Sequence, residues 1–136
     1  MRIRSICFLS VIALTMVAAV ADAQSLTKIG ATSAGTPVML ETKSVSKANG
    51  ITTATLRVAL QPPIKTSTEP MVSMRTIMMF DCAKQTTAMK ERWFYFDEKF
   101  SKTARHDKPG IPGYGPAIKG SLADVGLAHL CAPAKP

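Results

Sequence analysis

Two cysteines, Cys82 and Cys131, restrict the fold of this chain more than any other feature, because the chain begins with an export signal. The third cysteine, Cys7, lies inside that signal and far from its small-residue exit, so no lipid anchor is expected. A pair of cysteines in a small exported domain predicts a disulfide, and two cysteines allow one intramolecular pairing. The pair is separated by 49 positions. In the chain-entropy model, closing a loop of that length stabilises a fold by ~4 kcal/mol.

A metal-bound or catalytic thiol is the alternative for this pair. His129 lies two residues before Cys131, and His106 is the other histidine of the chain. One Cys–His pair without a second cluster of ligands does not match the spacing of zinc sites, which favours the disulfide. No metal-binding residue is therefore predicted.

The first 23 residues have the order of parts that is typical of a secretory signal peptide. Arg2 and Arg4 supply the positive start, residues 6–20 are nearly all apolar, and small residues at positions 21 and 23 form the exit. An uncleaved membrane anchor is the alternative, although the apolar run is short of the ~20 residues that span a bilayer. The expected mature protein begins at Gln24, has no membrane span, and is periplasmic, secreted or located at the cell surface.

Residues 24–136 are long enough for one small domain with a modest core. Removal of the signal takes away Arg2, Arg4 and Asp22, which changes the net charge from +8 to +7. A basic surface suits anionic partners such as polysaccharide, lipid headgroups or acidic protein patches, and export disfavours nucleic acid. The alternative is that the charge only promotes solubility.

Short segments rich in β-forming residues and separated by turn residues predict an antiparallel sheet. In residues 51–60, apolar side chains alternate with more polar ones, so one sheet face is expected to be buried and the other wetter. Asn49–Gly50 is a strong hairpin signal, residues 42–46 have turn composition, and Pro62–Pro63 is expected to end the third strand. The predicted strands are residues 26–31, 37–41, 51–60, 73–82, 86–96 and 100–105.

A short amphipathic helix is predicted near the C-terminal end. Ser121 and Asp124 resemble a capping box, with Asp in place of the usual Glu. The side chains expected on its apolar side are those of Leu122, Val125, His129 and Leu130, and the helix ends near Cys131. The fold class is therefore α+β, with about six antiparallel strands, one C-terminal helix packed on the sheet, and one disulfide.

Signatures of catalysis and of cofactor binding are missing from the sequence. It contains no nucleophile elbow, no phosphate-binding glycine loop and no His-Glu-x-x-His motif. His106 and Asp107 are adjacent in a predicted loop, where neighbouring side chains generally point apart, and His129 falls on the apolar helix side. A small hydrolase that uses His106 or His129 is the weakest hypothesis, and no catalytic or cofactor-binding residue is predicted.

Basic and aromatic residues concentrate in the fifth strand and in the hairpin that follows it. Trp93 and Tyr95 are expected on one sheet face and Phe94 and Phe96 on the other, and the helix can cover only one of these pairs. The uncovered pair would be exposed or buried in a homodimer, or alternatively covered by loops. The predicted binding surface comprises Lys90, Arg92, Trp93, Tyr95, Lys99, Lys102 and Arg105, together with Tyr114.

Tyr114 belongs to a proline- and glycine-rich loop at residues 108–116, which we call the Pro-Gly loop. Its composition excludes a helix and a central strand, so the loop is expected on the surface or along a sheet edge. Because proline restricts the backbone, ordering this loop on a partner would cost little entropy. The alternative is that the loop only covers the edge.

Four segments of the mature chain, in this order, resemble the surface-adhesin protein E family. They are LTKIGAT, VMLETKSVSKANGITTATLRV, MMFDCAKQTTAMKERWFYFDEKFSKT and SLADVGLAHLC, which together extend from Leu26 to Cys131. The chain departs from the family pattern at Leu26 or Thr27, where an aromatic residue is common, and at Glu41, where aspartate is common. It also departs by the lack of a lipid-anchoring motif.

The resemblance implies a curved antiparallel sheet with a helix against it, a Cys82–Cys131 bridge and dimerisation. It also implies adhesion, because members of this type bind epithelial surfaces and matrix proteins such as laminin and vitronectin. The first hypothesis is therefore a non-enzymatic exported binding protein that contacts matrix proteins or anionic surface components through the basic aromatic hairpin. The second is a periplasmic structural or accessory protein that docks on an unidentified partner through its Pro-Gly loop or a sheet edge.

Overall fold

A computed structural model describes residues 25–133, and the predicted signal peptide with its cleavage site lies outside these residues. The described chain forms strands first and a helix last, as predicted. The bounds are β1 Leu26–Ala31, β2 Pro37–Ala48, β3 Ile51–Ile64, β4 Met71–Asp81, β5 Thr86–Tyr95, β6 Thr103–Asp107, β7 Gly115–Pro116 and α1 Leu122–Leu130.

The strands form an antiparallel sheet in the order β1-β2-β3-β4-β5-β6, so neighbours in sequence are neighbours in space. A two-residue strand, β7, comes from the Pro-Gly loop and pairs with Thr86 and Thr87 at the start of β5. β6 pairs with the other half of β5, from Arg92 to Tyr95. The six predicted strands are thus confirmed, and the Pro-Gly loop adds a seventh along the part of the edge that β6 does not reach.

β2 is longer than predicted, because the expected turn at residues 42–46 is a bulge inside the strand. Its pairing with β3 shifts register between Glu41 and Ser46. Within this stretch the Ser44 hydroxyl donates to the Glu41 carbonyl oxygen over 2.6 Å and accepts the Thr55 N–H over 2.8 Å. The turn-forming residues therefore bend the strand without reversing the chain, and the prediction of a turn here is wrong.

The proline pair at positions 62 and 63 does not end β3, which continues to Ile64 with a cis peptide bond at Gln61–Pro62. The pairing of β3 with β4 is irregular between Ala59 and Ile64. Proline lacks the N–H group that a regular ladder requires, and this irregular stretch tolerates the loss. The prediction that the strand stops at Leu60 is therefore wrong.

β6 begins at Thr103, three residues later than predicted. Residues 97–102 form a loop in which the Asp97 carboxylate accepts the backbone N–H groups of Ser101 over 3.0 Å and of Lys102 over 2.9 Å. Phe100 in this loop has a φ of 59°, in the left-handed region that strands do not use. The loop therefore replaces the first residues of the predicted strand.

The hydrophobic core lies between the sheet and α1. The residues of β2, β3 and β4 that have no exposed surface include Val38, Ala54, Leu56 and Phe80. α1 presents Gly126 and Leu127 to this layer, and a Cβ atom at Gly126 would lie only 2.7 Å from Phe80 Cζ. His129 is exposed and lies at the edge of this core, where it lines a recess between α1 and β1 together with Ile29 and Gly30.

The predicted disulfide and helix start are both confirmed. The Sγ atoms of Cys82 and Cys131 are 2.03 Å apart, and the bond joins the residue after β4 to the C-cap of α1. At the other end, the Asp124 N–H donates to the Ser121 hydroxyl over 3.2 Å, and the Asp124 carboxylate accepts the Gly120 N–H over 2.9 Å in place of the Ser121 N–H of a capping box. Among residues 25–133, no helix combines the length and the apolar composition needed to cross a membrane.

Candidate functional site

The sheet has one face beneath α1 and an opposite face, which we call the open face. Arg57 lies between Leu56 and Val58, which belong to the core, so strand alternation places the Arg57 side chain on the open face. The strand register puts four further residues in line with Arg57 across the sheet. This cross-strand row consists of Met39 on β2, Arg57 on β3, Arg75 on β4, Trp93 on β5 and His106 on β6. The open face therefore carries charged and aromatic groups where the other face carries aliphatic ones.

Two guanidinium groups share one carboxylate at the centre of the open face. Arg57 Nε and Arg75 Nε donate to Glu41 Oε1 over 2.6 and 2.7 Å, and Arg75 Nη2 donates to Glu41 Oε2 over 3.1 Å. Burial acts to raise the pKa of Glu41, but the hydrogen bonds and charges of Arg75 and Arg57 outweigh it and hold this pKa below its usual value. The ionised carboxylate fixes both guanidinium groups, and one positive charge remains in excess among the three side chains.

Aromatic rings continue the row towards β6. Arg75 Cζ lies 5.1 Å from the centre of the Trp93 ring, within the range of a cation–π contact. The His106 ring stacks on Trp93 with centroids 4.9 Å apart and an interplanar angle of 4°. His106 Nε2 in turn lies 2.7 Å from Glu91 Oε1. Trp93 is therefore held by side chains from both neighbouring strands, while part of its surface remains exposed.

Two recesses on the open face meet at Arg57 and Phe100, whose guanidinium carbon and ring centre are 4.9 Å apart. The cationic recess has a volume of about 490 Å³ and is lined by Glu41, Arg57, Arg75, Tyr95, Lys99 and Phe100. The apolar recess has a volume of about 320 Å³, and its lining includes Leu26, Pro37, Met39, Val58 and Ala59, with Glu98 as an acidic member. A charged and an apolar binding environment therefore lie side by side.

A second charged cluster lies at the β5–β6 edge, on the sheet face that carries α1. The guanidinium carbons of Arg92 and Arg105 are 4.8 and 4.9 Å from the centre of the Phe94 ring. Both groups also donate to Asp107 Oδ2, over 2.9 Å from Arg92 Nη2 and 2.8 Å from Arg105 Nη2. The hydrogen bonds of Arg105 and then of Arg92 lower the pKa of Asp107 to about 2. These two arginines therefore have a carboxylate partner within the chain.

The aromatic residues of β5 alternate between the faces as predicted, but the two on the open face differ in exposure. Tyr95 is only 7 % exposed. Its ring lies edge-on to Phe100, with centroids 5.3 Å apart, and burial raises the pKa of its hydroxyl. The alternative in which a loop covers the aromatic pair therefore holds for Tyr95, and Trp93 is the more accessible of the two rings.

The basic residues of the predicted surface point in different directions. Arg92 and Arg105 lie on the α1 side of the sheet, bound to Asp107. Lys90 is exposed at a register shift of β5, and Lys99 and Lys102 are exposed in the loop at residues 97–102. Of the predicted basic residues, Lys99 therefore lies on the open face, where it lines the cationic recess.

Tyr114 brings the Pro-Gly loop to the open face. Its side chain is 46 % exposed, and its hydroxyl lies 3.7 Å from the sulfur of Met79. Met79 alternates with the core residues Met78 and Phe80 along β4, so it lies on the open face. The predicted contact residues Trp93, Lys99 and Tyr114 are therefore on the same side of the sheet.

His106 does not pair with the adjacent Asp107, but another carboxylate, that of Glu91, lies within reach of its imidazole. His106 contacts Glu91 on the open face, whereas the adjacent Asp107 points to the other face and binds Arg92 and Arg105. His129 is exposed on α1. Across the described part of the chain, no group of three or more His, Cys, Asp or Glu side chains is arranged to hold a metal ion.

The centre of the open face carries no recognisable sequence motif. Arg75 and Arg57 are separated from Glu41 by 34 and 16 positions, so only the sheet register brings them together. One signal was available, because both arginines interrupt strands that are otherwise mostly apolar. A charge at such a position requires an opposite charge nearby. The position of Phe100 depends on the loop conformation and has no comparable signal.

The fold and the site define a class of small disulfide-bonded domain, in which an antiparallel sheet packs one helix on one face and leaves a polar, aromatic face for contacts. The model of the surface-adhesin protein E family matches residues 26–132, nearly all of the described chain. The chain therefore belongs to the surface-adhesin protein E family, which confirms the resemblance seen in its sequence.

Solved structures of protein E from Haemophilus influenzae share this fold. Crystal form II of that protein matches with a TM-score of 0.53 and 14% identity, over 70% of this chain and 80% of that chain. The selenomethionine form matches with a TM-score of 0.50 and 13% identity, over 70% and 78% of the two chains. A search of curated protein sequences gives no match. At this level of identity, the structural similarity establishes the fold.

Proposed function

We propose that this chain is an exported, non-enzymatic adhesive protein that contacts a protein or anionic surface partner through its open face. The observation that carries the proposal is the cross-strand row, which places Arg57, Arg75 and Trp93 on the sheet face away from α1. Tryptophan and arginine are the residue types most enriched at the energetic centres of protein interfaces. Membership in a family of surface adhesins supports a binding role.

The open face is largely ordered before any partner arrives. Glu41 holds the guanidinium groups of Arg57 and Arg75, and Trp93 is held between Arg75 and His106. Fixing a long side chain at an interface costs ~0.5–1.5 kcal/mol, and this cost is reduced when the side chain is already in place. The surplus positive charge favours an acidic protein patch or a polyanion. Matrix proteins such as laminin and vitronectin are the partners that the family suggests.

Charge reversal on the open-face side tests this surface. The double variant Lys99→Glu/Lys102→Glu changes two exposed side chains of the loop at residues 97–102, of which Lys99 lines the cationic recess, and should leave the melting temperature nearly unchanged. The matched control is Lys47→Glu/Lys84→Glu, which makes the same charge change at the opposite end of the sheet, near the Asn49–Gly50 and β4–β5 turns. Binding to immobilised laminin, vitronectin and heparin would be measured by biolayer interferometry at several salt concentrations.

We expect the Lys99→Glu/Lys102→Glu protein to lose about tenfold or more in affinity for at least one of these ligands, mainly through slower association. The control pair should stay within about twofold of the unmodified protein, because its charges are more than a Debye length away. Trp93→Ala should weaken the same interaction by faster dissociation. Equal losses in both charge-reversed proteins would show a non-specific charge effect and would remove the open face as the contact surface.

The cellular location of the mature protein is a separate part of the proposal. We propose residues 1–23 as a cleaved signal peptide, so the intact mass of the exported protein should match a chain that begins at Gln24. Protease treatment of intact cells then separates two roles. Degradation of the folded protein from outside supports an adhesin at the surface, whereas protection until the outer membrane is opened supports the periplasmic accessory role.

A further inference from the structure

The cationic and apolar recesses adjoin at Arg57 and Phe100, which line both of them, and we call the two recesses together the groove. Their volumes of about 490 and 320 Å³ lie in the range of small-molecule sites, which is roughly 300–1,000 Å³. One end of the groove offers guanidinium and ammonium groups, and the other offers the side chains of Met39 and Ala59. A ligand that fills both ends therefore needs a charged head and an apolar body.

The charge of the groove selects an anionic head. Among the described residues, its cationic end is lined by Arg57, Arg75 and Lys99 and by the carboxylate of Glu41. Glu98 lines the apolar end only and opposes an anion placed there. The head group is therefore expected at the cationic end, and the modest surplus of positive charge suits a group with one negative charge.

Glu41 already shows how a carboxylate is bound at this place. One of its oxygens accepts the Nε–H groups of both arginines over 2.6 and 2.7 Å, and the other accepts Arg75 Nη2 over 3.1 Å. A guanidinium group presents several N–H donors in a plane that matches a carboxylate. Glu41 thus acts as a positioning residue that keeps the two groups oriented beside the recess.

We propose that this groove binds a small apolar carboxylic acid. The carboxylate lies in the cationic recess at Arg75 and Lys99, and the hydrocarbon chain crosses the Arg57–Phe100 pair into the apolar recess. Phe100 and the stem of Arg57 supply apolar surface between the two ends. This binding is independent of the adhesive role, because it requires no protein partner.

The test compares three eight-carbon probes that differ in their head group: octanoate, octanol and octylamine. Binding to the full mature protein would be followed by the NMR signals of the Arg57 and Arg75 Nε–H groups and by the fluorescence of Trp93. Trp93 is the chain's single tryptophan, and its ring centre is 5.1 Å from Arg75 Cζ. We expect saturable shifts with octanoate, at least tenfold weaker binding of octanol, and the weakest binding by octylamine.

The length of the hydrocarbon chain tests the apolar end. Each methylene group buried contributes ~0.8 kcal/mol, or about fourfold in affinity, so octanoate should exceed hexanoate by up to about 15-fold. Glu98→Gln should strengthen octanoate binding several-fold, because it removes a negative charge from the apolar end. Equal affinity for acetate, hexanoate and octanoate would show that the apolar recess takes no part and would overturn the proposed groove.

Variants of the cationic end separate specific binding from general attraction. Arg57→Gln should weaken octanoate binding several-fold, because it removes a nearby positive charge and part of the apolar stem, while Glu41 keeps its two bonds to Arg75. Lys99→Gln should weaken it several-fold. Lys102→Gln is the matched control, since Lys102 lies in the same loop but does not line either recess. Circular dichroism and thermal unfolding would verify that each variant is folded.

Two results would overturn this inference. The first is equal binding of octanoate, octanol and octylamine, which would indicate simple adsorption to apolar surface. The second is the lack of saturable octanoate shifts at Arg57 and Arg75 below about 10 mM. Loss of adhesion with octanoate binding intact would contradict the proposed function alone, so the two proposals fail separately.

Discussion

Removal of the Cys82–Cys131 disulfide tests how much the covalent bond stabilises the fold by restricting the unfolded chain. The bond closes a loop of 49 residues that contains β5, β6, β7 and α1. Without it, the unfolded chain gains conformations that the bond excludes, whereas the folded chain keeps its contacts. We therefore expect the double variant Cys82→Ala/Cys131→Ala to fold with the same structure but with much lower stability.

The magnitude follows from the length of the loop. For 49 residues the chain-entropy relation gives about 14 cal/mol/K, which is ~4 kcal/mol at 25 °C. Small domains have a total stability of about 5–15 kcal/mol, so this loss is a large part of the whole. With about 2.1 cal/mol/K of unfolding entropy per residue, each kcal/mol lowers the Tm of a domain of this size by about 4 °C, and we expect Tm to fall by roughly 15–20 °C.

Urea unfolding, followed by circular dichroism and by Trp93 fluorescence, measures the loss. The double variant and the unmodified protein in reducing buffer should unfold at the same midpoint, because both lack the bond. Their m-values should exceed that of the oxidised protein, since the open unfolded chain exposes more surface. The single variant Cys82→Ala should lose as much as the double variant, because either change removes the whole bond.

Two results would refute this reasoning. A loss below about 1 kcal/mol in the double variant would show that closing this loop contributes little to the stability of the fold. A loss seen in the alanine variant but absent from the reduced protein would assign the effect to packing, since Cys131 also lies against the core. In that case the loop-closure estimate would not apply to this fold.

Three further changes test the core, the open face and the β5–β6 edge. Gly126→Ala should destabilise the fold by about 1–2 kcal/mol in urea unfolding, because the added Cβ would lie 2.7 Å from Phe80 Cζ. Overpacking of this kind costs ~1–3 kcal/mol, which exceeds the gain of ~1 kcal/mol in helix propensity. A more stable variant would contradict the close approach. Glu41→Gln should lower the free energy of unfolding by about 2–3 kcal/mol, because the neutral amide leaves two guanidinium groups facing each other. An unchanged midpoint of urea unfolding would show that Glu41 makes no net contribution to stability. The lowered pKa of Asp107 implies a contribution to stability that is present above about pH 4 and is lost as the pH falls towards 2; an NMR titration of its carboxyl carbon with a midpoint near 4 would contradict the ion pairs.

Features that depend on local chemistry were predictable from the sequence. The Asn49–Gly50 hairpin, the Ser121 cap and the order of strands all follow from residues a few positions apart. The disulfide was predictable for a different reason, because two cysteines in an exported chain leave one pairing. Each of these sequence patterns favours one local structure strongly, so tertiary packing did not alter the predicted structure there.

The remaining features depend on pairing between distant strands or on helix rotation. Residues 42–46 have turn composition, but the Ser44 hydroxyl bonds to the backbone of Thr55 and Glu41, which turns the stretch into a bulge. His129 occupies an apolar helix position in sequence, yet it is exposed at the edge of the helix that faces β1. The same limit applies to the open face, whose charged residues meet only through the register of β2, β3 and β4.

Arg57 and Arg75 also explain why α1 covers one face of the sheet and not the other. A helix on the open face would bury both guanidinium groups completely, and each buried ion loses several kcal/mol of hydration. Glu41, which binds both groups, would lose its own hydration as well. The opposite face offers Leu56 and other aliphatic residues to Leu127 and carries no such cost. The two arginines therefore direct the helix to the aliphatic face, and by doing so they keep a hydrated, positively charged face available for contacts with other molecules.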